Sequence, residues 1–408
     1  MEENLIEKSM IEDRQSMIGD RVARQPILDS RSSILDQNLL FGQNTLQRLG
    51  DVVRALEGRR VLLVTDPGIT KAGHEERAVE ILRKSSIETV VFQDVAENPT
   101  TEHVENGAAF ARETGPFDLI IGLGGGSAMD CAKGINFLLT NGGKMEDYRG
   151  FGKASKPLLP AIGIPTTAGT GSEAQSFALI SKADTHEKMA CGDPKARFKA
   201  VILDPALVRS APRPVRAVTG MDAISHAVES YVCTKRNPVS QMFAREAWWL
   251  LASNYETVLS APDNRDALAK MLMGAYFAGA AIEHSMLGAA HACANPLTAR
   301  FGITHGMAVG LMLPHVVRFN GETVNTAYGE LLEPLRQTRQ SDDSASKLAA
   351  KLEALNKGND WPERLRDLQV GESDLPHLAE EAASQWTGQF NPRKVGRVEF
   401  LDLYRAAY

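Results

Sequence analysis

Two rhythms of apolar and polar positions divide the chain. In the first half, short β-branched and aliphatic runs alternate with segments of helical period. RVLLVTD (Arg60–Asp66), TVVFQD (Thr89–Asp94) and FDLIIGLGG (Phe117–Gly125) read as buried strands. Between them, helices are predicted around Glu75–Lys84 and Glu102–Arg112, and a helical spacing links Leu46, Leu49, Val53 and Leu56 before the first strand. LPAIGIPTT (Leu159–Thr167), SFALIS (Ser176–Ser181) and AVILD (Ala200–Asp204) read as further strands. Strand alternating with helix predicts a parallel sheet covered on both faces.

After Asp204 the strand signal stops. PALVRSAPRPVRA carries three prolines and reads as a hinge. Beyond it, Phe243, Ala247, Leu250 and Val258 keep helical spacing in Val239–Leu259, and Leu268, Leu272, Ala275, Gly279 and Ile282 do so in Asp263–Glu283. Shorter amphipathic helices follow from Ser344, with turns near Gly358 and Gly371. The expected layout is a polar extension over 1–33, an α/β dinucleotide-binding domain over 34–211 and an all-helical, metal-binding domain over 212–408, with ligands in the cleft between the last two.

Composition changes this picture little. At 408 residues, two domains are the natural expectation, and 43% hydrophobic with 24% charged residues is ordinary for a globular protein. A net charge of -6 argues against nucleic acid or an anionic membrane as main partner. No apolar run approaches a membrane span, and the acidic opening MEENLIEKSMIEDRQ resembles neither a secretory signal nor a transit peptide. Cys131, Cys191, Cys233 and Cys293 lie far apart with no CxxC, which fits a reducing, cytoplasmic compartment.

Candidate chemistry gathers in three places. TGMDAISHAVES puts Asp222 and His226 four apart, on one face of a helix, and HACANPLTARFGITHG puts His291 and His305 fourteen apart. One carboxylate and three imidazoles suit a divalent metal of borderline hardness, iron(II) or zinc. Each histidine alone would more commonly be a satisfied core residue. GLGGGSAMDCAK (Gly122–Lys133) follows a strand and opens a helix, so backbone N–H groups can approach a pyrophosphate; a turn glycine-rich for packing alone is the bland alternative. Ser127 stands where the standard fingerprint has its last glycine. Asp66, at the end of the first strand, could accept hydrogen bonds from ribose hydroxyls and repel a 2′-phosphate, favouring NAD over NADP, or could serve only the turn before Pro67-Gly68. IPTTAGTGSEA (Ile164–Ala174) supplies hydroxyls at Thr166, Thr167, Thr170 and Ser172 and, through Gly169 and Gly171, room for a backbone nest. Lys188 could add a charge to phosphate or ribose, or be a solvated surface lysine.

Together and in order, GGGSAMD, IPTTAGTGSE, LDPALVRSAPRPVRAVTGMDAISHAVESYV and HGMAVGLMLPHVVRFN resemble the iron-containing alcohol dehydrogenases, whose fold is shared with glycerol dehydrogenase and dehydroquinate synthase. The resemblance runs from about Ser33 to the C-terminus. It implies an N-terminal dinucleotide-binding α/β domain and a helical domain holding iron(II), or zinc in some members, at Asp222, His226, His291 and His305. It implies NAD(H) in the cleft, with Gly124, Gly125, Gly126 and Ser127 at the pyrophosphate and Asp66, Asn98, Thr166, Thr167 and Lys188 around the rest. It also implies hydride transfer between an alcohol and its aldehyde or ketone, in a homodimer or larger homo-oligomer. Two positions depart from the family pattern. Asn295 replaces a histidine that many members carry against substrate and nicotinamide, and it can hydrogen-bond but not relay a proton near pH 7. Phe177 stands where some members place a small polar residue against substrate, implying a more apolar pocket wall. A dehydroquinate synthase-like lyase, a hydroxyacid-oxoacid transhydrogenase and a non-catalytic metal or nucleotide sensor remain alternatives on the same scaffold.

Overall fold

The computed structural model describes residues 37–185, 187–333, 343–359 and 361–408. The expected polar extension over 1–33 lies outside the described residues. The first half holds β1 (Asn38–Phe41), α1 (Leu49–Ala55), β2 (Arg60–Val64), α2 (Pro67–Lys71), α3 (His74–Lys84), β3 (Glu88–Phe92), α4 (Thr101–Thr114), β4 (Leu119–Gly124), α5 (Gly126–Asn141), β5 (Gly150–Phe151), β6 (Ala161–Pro165), β7 (Phe177–Ser181), β8 (Lys188–Gly192) and β9 (Ala200–Leu203). Six strands form a sheet in the order β1-β9-β6-β4-β2-β3, every pair parallel.

The strand period explains the two-faced burial. Leu62, Val64 and Ile120 join one apolar core, while Val61, Leu63, Leu119, Ile121 and Leu123 join the other. Successive side chains point to opposite faces, so a strand buried on both sides reads as an unbroken apolar run. Three strands carried no readable signal: β1 and β5 are four and two residues long, and β8 begins with Lys188. The segment Phe177–Ser181 is a strand as its pattern predicts, but it belongs to a small separate sheet, β5-β8-β7.

The second half is helical among the described residues: α6 (Pro205–Val208), α7 (Arg213–Val232), α8 (Pro238–Ser260), α9 (Arg265–Glu283), α10 (Ala289–Phe301), α11 (His305–Leu332), α12 (Ser344–Lys357), α13 (Leu375–Ser384) and α14 (Arg397–Ala407). Within the proline-rich stretch the prolines open helices. Pro205 sits in the first turn of α6 with Asp204 capping it, and Pro212 and Pro214 start α7. Proline lacks only an N–H that a helix start leaves unpaired anyway, so three prolines here punctuate helices.

A buried ionic seam joins the halves. Lys133 Nζ on α5 donates to Ser172 O at 2.7 Å, Ser172 Oγ at 2.9 Å and Phe177 O at 2.7 Å. Glu283, at the end of α9, accepts from the Ser176 N–H at 2.8 Å and pairs with Arg197. Beside them Glu173 is 1% exposed, and its Oε1 has no partner. Burial lifts its carboxyl from 4.5 to about 7. The folded chain therefore holds this proton between pH 4.5 and 7 while the unfolded chain releases it, so the group lowers stability progressively over that window and by a constant amount above it. At about 1.4 kcal/mol per pKa unit, Glu173→Gln is expected to melt with wild type at pH 4.5 and to be more stable by roughly 3–4 kcal/mol at pH 8, as read by paired thermal melts.

Candidate metal and nucleotide site

Helix α7 presents Asp222 and His226 one turn apart, α10 brings His291, and the first residue of α11 is His305. The three Nε2 atoms converge on a single oxygen, Asp222 Oδ1, at 3.4 Å from His226, 3.6 Å from His291 and 3.9 Å from His305. One ligand atom each from Asp222, His226 and His291 lies within 4.8 Å of the others. The His226 and His291 rings stack at 4.9 Å, and His305 meets His291 tilted, at 5.4 Å and 53°. Asp222, His226 and His291 are buried, and His305 is partly exposed.

Asp222 Oδ1 and His291 Nε2 have no hydrogen-bond partner although buried. Buried polar atoms without partners are costly, and a cation between them would satisfy both. Burial pushes the Asp222 carboxyl up, but the surrounding His226, His291 and His305 outweigh it and hold the carboxyl below its ordinary value. Burial, reinforced by His291, depresses His226 to about 4. Burial and the Lys188 ammonium depress His305. Neutral imidazoles beside an ionised carboxylate are the donor set a divalent ion of this kind takes. His291 differs: burial lowers it, yet Glu229 and Asp222 raise it to about 9.

The nucleotide candidates assemble at the carboxyl ends of β2, β4 and β6, where open α/β sheets hold ligands. Gly125 caps α5, so Gly126 and Ser127 form its first turn. The Asn98 N–H donates to Ser127 Oγ at 3.3 Å, and the Thr166 N–H to Gly124 O at 2.9 Å, while Thr166 Oγ1 is buried without a partner. A Cβ on Gly125 would lie 3.6 Å from Thr167 Oγ1, and one on Gly126 would strike Thr170. Asp66 serves the turn, and its second oxygen lies near the glycine loop. Its Oδ1 caps α2, accepting from Gly68 at 2.9 Å and Ile69 at 3.1 Å, while Oδ2 faces Gly124. Lys188 is half-buried. Burial lowers its pKa and the Asp222 carboxylate opposes that, so its ammonium sits at the metal end of the cleft.

The loop after β6 links the two ligand sets, and its glycines serve packing more than a nest. A Cβ on Gly169 would lie 2.4 Å from Thr219 Cβ on α7, and Gly171, at φ +64, would meet the Gly279 backbone of α9 at 2.6 Å. The loop thus sets Thr167 and Thr170 against the glycine turn, with Gly169 between them close enough through its backbone to influence His226.

Phe177 and Asn295 contact adjacent residues, Trp386 and Gln385. Phe177 stacks on Trp386 at 6.1 Å and 30°, and on its other side meets Phe151 at 5.7 Å. Asn295, one turn beyond His291, donates through Nδ2 to Gln385 Oε1 at 3.0 Å. Gln385 and Trp386 gave no sequence signal, since they sit in a turn after α13 far from any motif. Glu229 was missed but readable: Asp222, His226 and Glu229 share one face of α7 at i, i+4 and i+7.

Comparison with known proteins gives two family matches. The model for iron-containing alcohol dehydrogenase covers residues 36–205, and that for the C-terminal part of the Fe-containing alcohol dehydrogenase family covers 216–408. The chain is 33% identical over 374 residues to the 1,3-propanediol dehydrogenase of Klebsiella pneumoniae, spanning 90% of this chain and 96% of the relative. A 1,3-propanediol oxidoreductase crystal structure superposes with a TM-score of 0.88 at 33% identity, covering 91% of this chain and 97% of that one. The sulfoacetaldehyde reductase of Bifidobacterium kashiwanohense, solved with NAD+, gives 0.82 at 26% identity, over 91% and 97%.

Proposed function

The chain belongs to the iron-containing alcohol dehydrogenase family, an oxidoreductase of alcohols and aldehydes, and from that premise we propose a specific assignment of its cofactors, site residues and substrate. Asp222, His226, His291 and His305 hold iron(II), with zinc as the alternative, and the nicotinamide cofactor is NAD(H). The observation that carries this reading is the meeting of three imidazole Nε2 atoms at one Asp222 oxygen, beside a loop that reaches to the glycine turn. NAD(H) rather than NADP(H) rests on Asp66, whose carboxylate Oδ2 faces the glycine turn and would oppose a 2′-phosphate. The α/β half over 34–211 is then the nucleotide domain and the helical half over 212–408 the metal domain, in a homodimer or larger homo-oligomer. The four buried free thiols support a cytoplasmic setting, and among the described residues no helix is long and apolar enough to cross a membrane.

When bound, the cation supplies Lewis acidity to a substrate oxygen, and the nicotinamide supplies or accepts hydride. The chain's own residues position the reactants. Gly124–Ser127, with Asn98, Thr166, Thr167 and Thr170, hold the pyrophosphate end, and Lys188 holds the ribose end near the metal. Such positioning contributes roughly 7–11 kcal/mol at best. Asn295, tied to Gln385, can orient a hydroxyl but cannot carry a proton near pH 7, so this position is a positioning one and not a relay.

The aromatic wall of Phe151, Phe177 and Trp386 selects the substrate class, an aldehyde or alcohol with an apolar or aryl tail. Stacking on such faces is worth about 0.5–1.5 kcal/mol beyond area burial. Benzaldehyde and hexanal are expected to exceed 3-hydroxypropanal in kcat/KM, and Trp386→Ala to shrink that preference roughly tenfold. The test is an anaerobic panel of aldehydes with iron(II) or zinc and NADH or NADPH, followed by nicotinamide absorbance. No turnover with any aldehyde would refute the assignment, and equal use of NADPH would refute the role given to Asp66.

A further inference from the structure

Glu229 is the buried acid nearest the converging histidines, and the function proposed above does not use it. It lies on α7, 4% exposed, with both carboxylate oxygens engaged. Oε1 accepts from the Ala290 N–H at 2.7 Å, and Oε2 stands 2.5 Å from His291 Nδ1. We propose that Glu229 is a positioning residue for the metal centre, holding His291 protonated on Nδ1 with its Nε2 lone pair turned toward the ion. The proposal rests on the reading of Asp222, His226, His291 and His305 as metal ligands.

The donor and acceptor inventory leads to this tautomer. An ionised carboxylate only accepts, so His291 Nδ1 must donate to Glu229. A neutral ring then keeps Nε2 as an acceptor, and that atom faces Asp222 Oδ1 at 3.6 Å with neither satisfied by protein. A cation bound between them satisfies both, taking the place of the second proton that Glu229 and Asp222 otherwise favour on this ring. Charge balance agrees. Asp222 and Glu229 bring two negative charges, neutral imidazoles bring none, and a divalent ion cancels the total, whereas a buried uncompensated charge costs several kcal/mol.

Glu229 is itself held in place. The next N–H of the same helix start, Ala289, donates to Asn391 Oδ1 at 3.3 Å, and Asn391 Nδ2 donates to Asn320 Oδ1 at 2.7 Å. The start of α10 is thus fastened by Glu229 on one side and an asparagine pair on the other, and His291 follows one residue after Ala290. Removing partners of this kind typically weakens metal binding 10–100-fold.

The rival account makes Glu229 only a cap for α10. Glu229→Gln separates the two. Its amide oxygen can serve the Ala290 N–H or the His291 Nδ1–H but not both, and its NH2 opposes the donor left over. Zinc affinity by competition with a chelating dye is expected to fall about 10–100-fold in Glu229→Gln and Glu229→Ala. The visible absorption of bound cobalt(II) should shift, while the Glu229→Gln melt stays within a few degrees of wild type. An unchanged zinc affinity and cobalt spectrum in folded Glu229→Gln would overturn the proposal. Should the variants not fold, 15N-histidine spectra of the zinc-loaded wild type still decide. A His291 ring protonated on Nδ1, assigned by its loss in His291→Gln, supports the proposal, and one protonated on Nε2 overturns it. Wild type that binds neither zinc nor cobalt(II) would defeat the metal-site reading along with this one.

Discussion

Replacing His291 with alanine is expected to abolish stoichiometric metal retention and to lower kcat/KM roughly a thousandfold or more, with NAD(H) binding still detectable. The residue combines two features that no other ligand shares. Its Nε2 is one of the two buried atoms at the focus left without a partner, and its Nδ1 is the contact through which Glu229 joins the site. Truncation removes a ligand and leaves the Glu229 carboxylate facing a void. Lewis-acid stabilisation is worth several kcal/mol, and each 1.4 kcal/mol is about tenfold in rate, so three or more decades follow. Nucleotide binding survives because Gly124–Ser127 and Asp66 stand on strand ends that His291 does not support. Metal analysis after dialysis, aldehyde kinetics and NADH fluorescence titration check the three parts. A His291→Ala enzyme that turns over normally without metal would end the mechanism.

Gly306→Ala is expected to be the more disruptive change to the fold and nearly as harmful to the site. A Cβ at Gly306 would lie 1.9 Å from the carbonyl oxygen of Val218 and 2.7 Å from its carbonyl carbon. Both are backbone atoms, so no side chain can rotate away, and α11 must shift from α7. Overpacking of this kind costs about 1–3 kcal/mol and occasionally more. The shift separates His305, adjacent to Gly306, from Asp222 and His226 on α7. Thermal melts should drop by several degrees, and metal affinity should fall at least about tenfold in whatever remains folded. An alanine variant with wild-type melting and wild-type affinity would mean that the helices tolerate a separation the packing denies them.

These two predictions mark where sequence reading works and where it stops. Asp222 and His226 were readable as a pair because one helical turn fixes their relation, and so was the glycine turn, because strand, turn and helix are consecutive. The parallel sheet followed from apolar runs whose alternate residues do enter different cores. The proline-rich stretch falls between the two family matches, but that its prolines start α6 and α7 was not legible, because proline signals the start of a helix as strongly as the end of one. The glycines after β6 carry a further constraint that the sequence did not reveal. Their sequence is compatible with holding an anion, but Gly171 is required by the approach of Gly279, more than a hundred residues away in the chain.

The sequence by itself determined the order of elements, the alternating first half, the helical second half and the residue types able to bind metal and nucleotide, since each depends on neighbours within a turn or a strand. Tertiary structure alone decided that three imidazoles from three helices point at one oxygen of Asp222, that Glu229 meets His291, and that Trp386 stacks on Phe177. Those relations are set by helix packing and by backbone approaches between distant segments, and no local period in the chain encodes them.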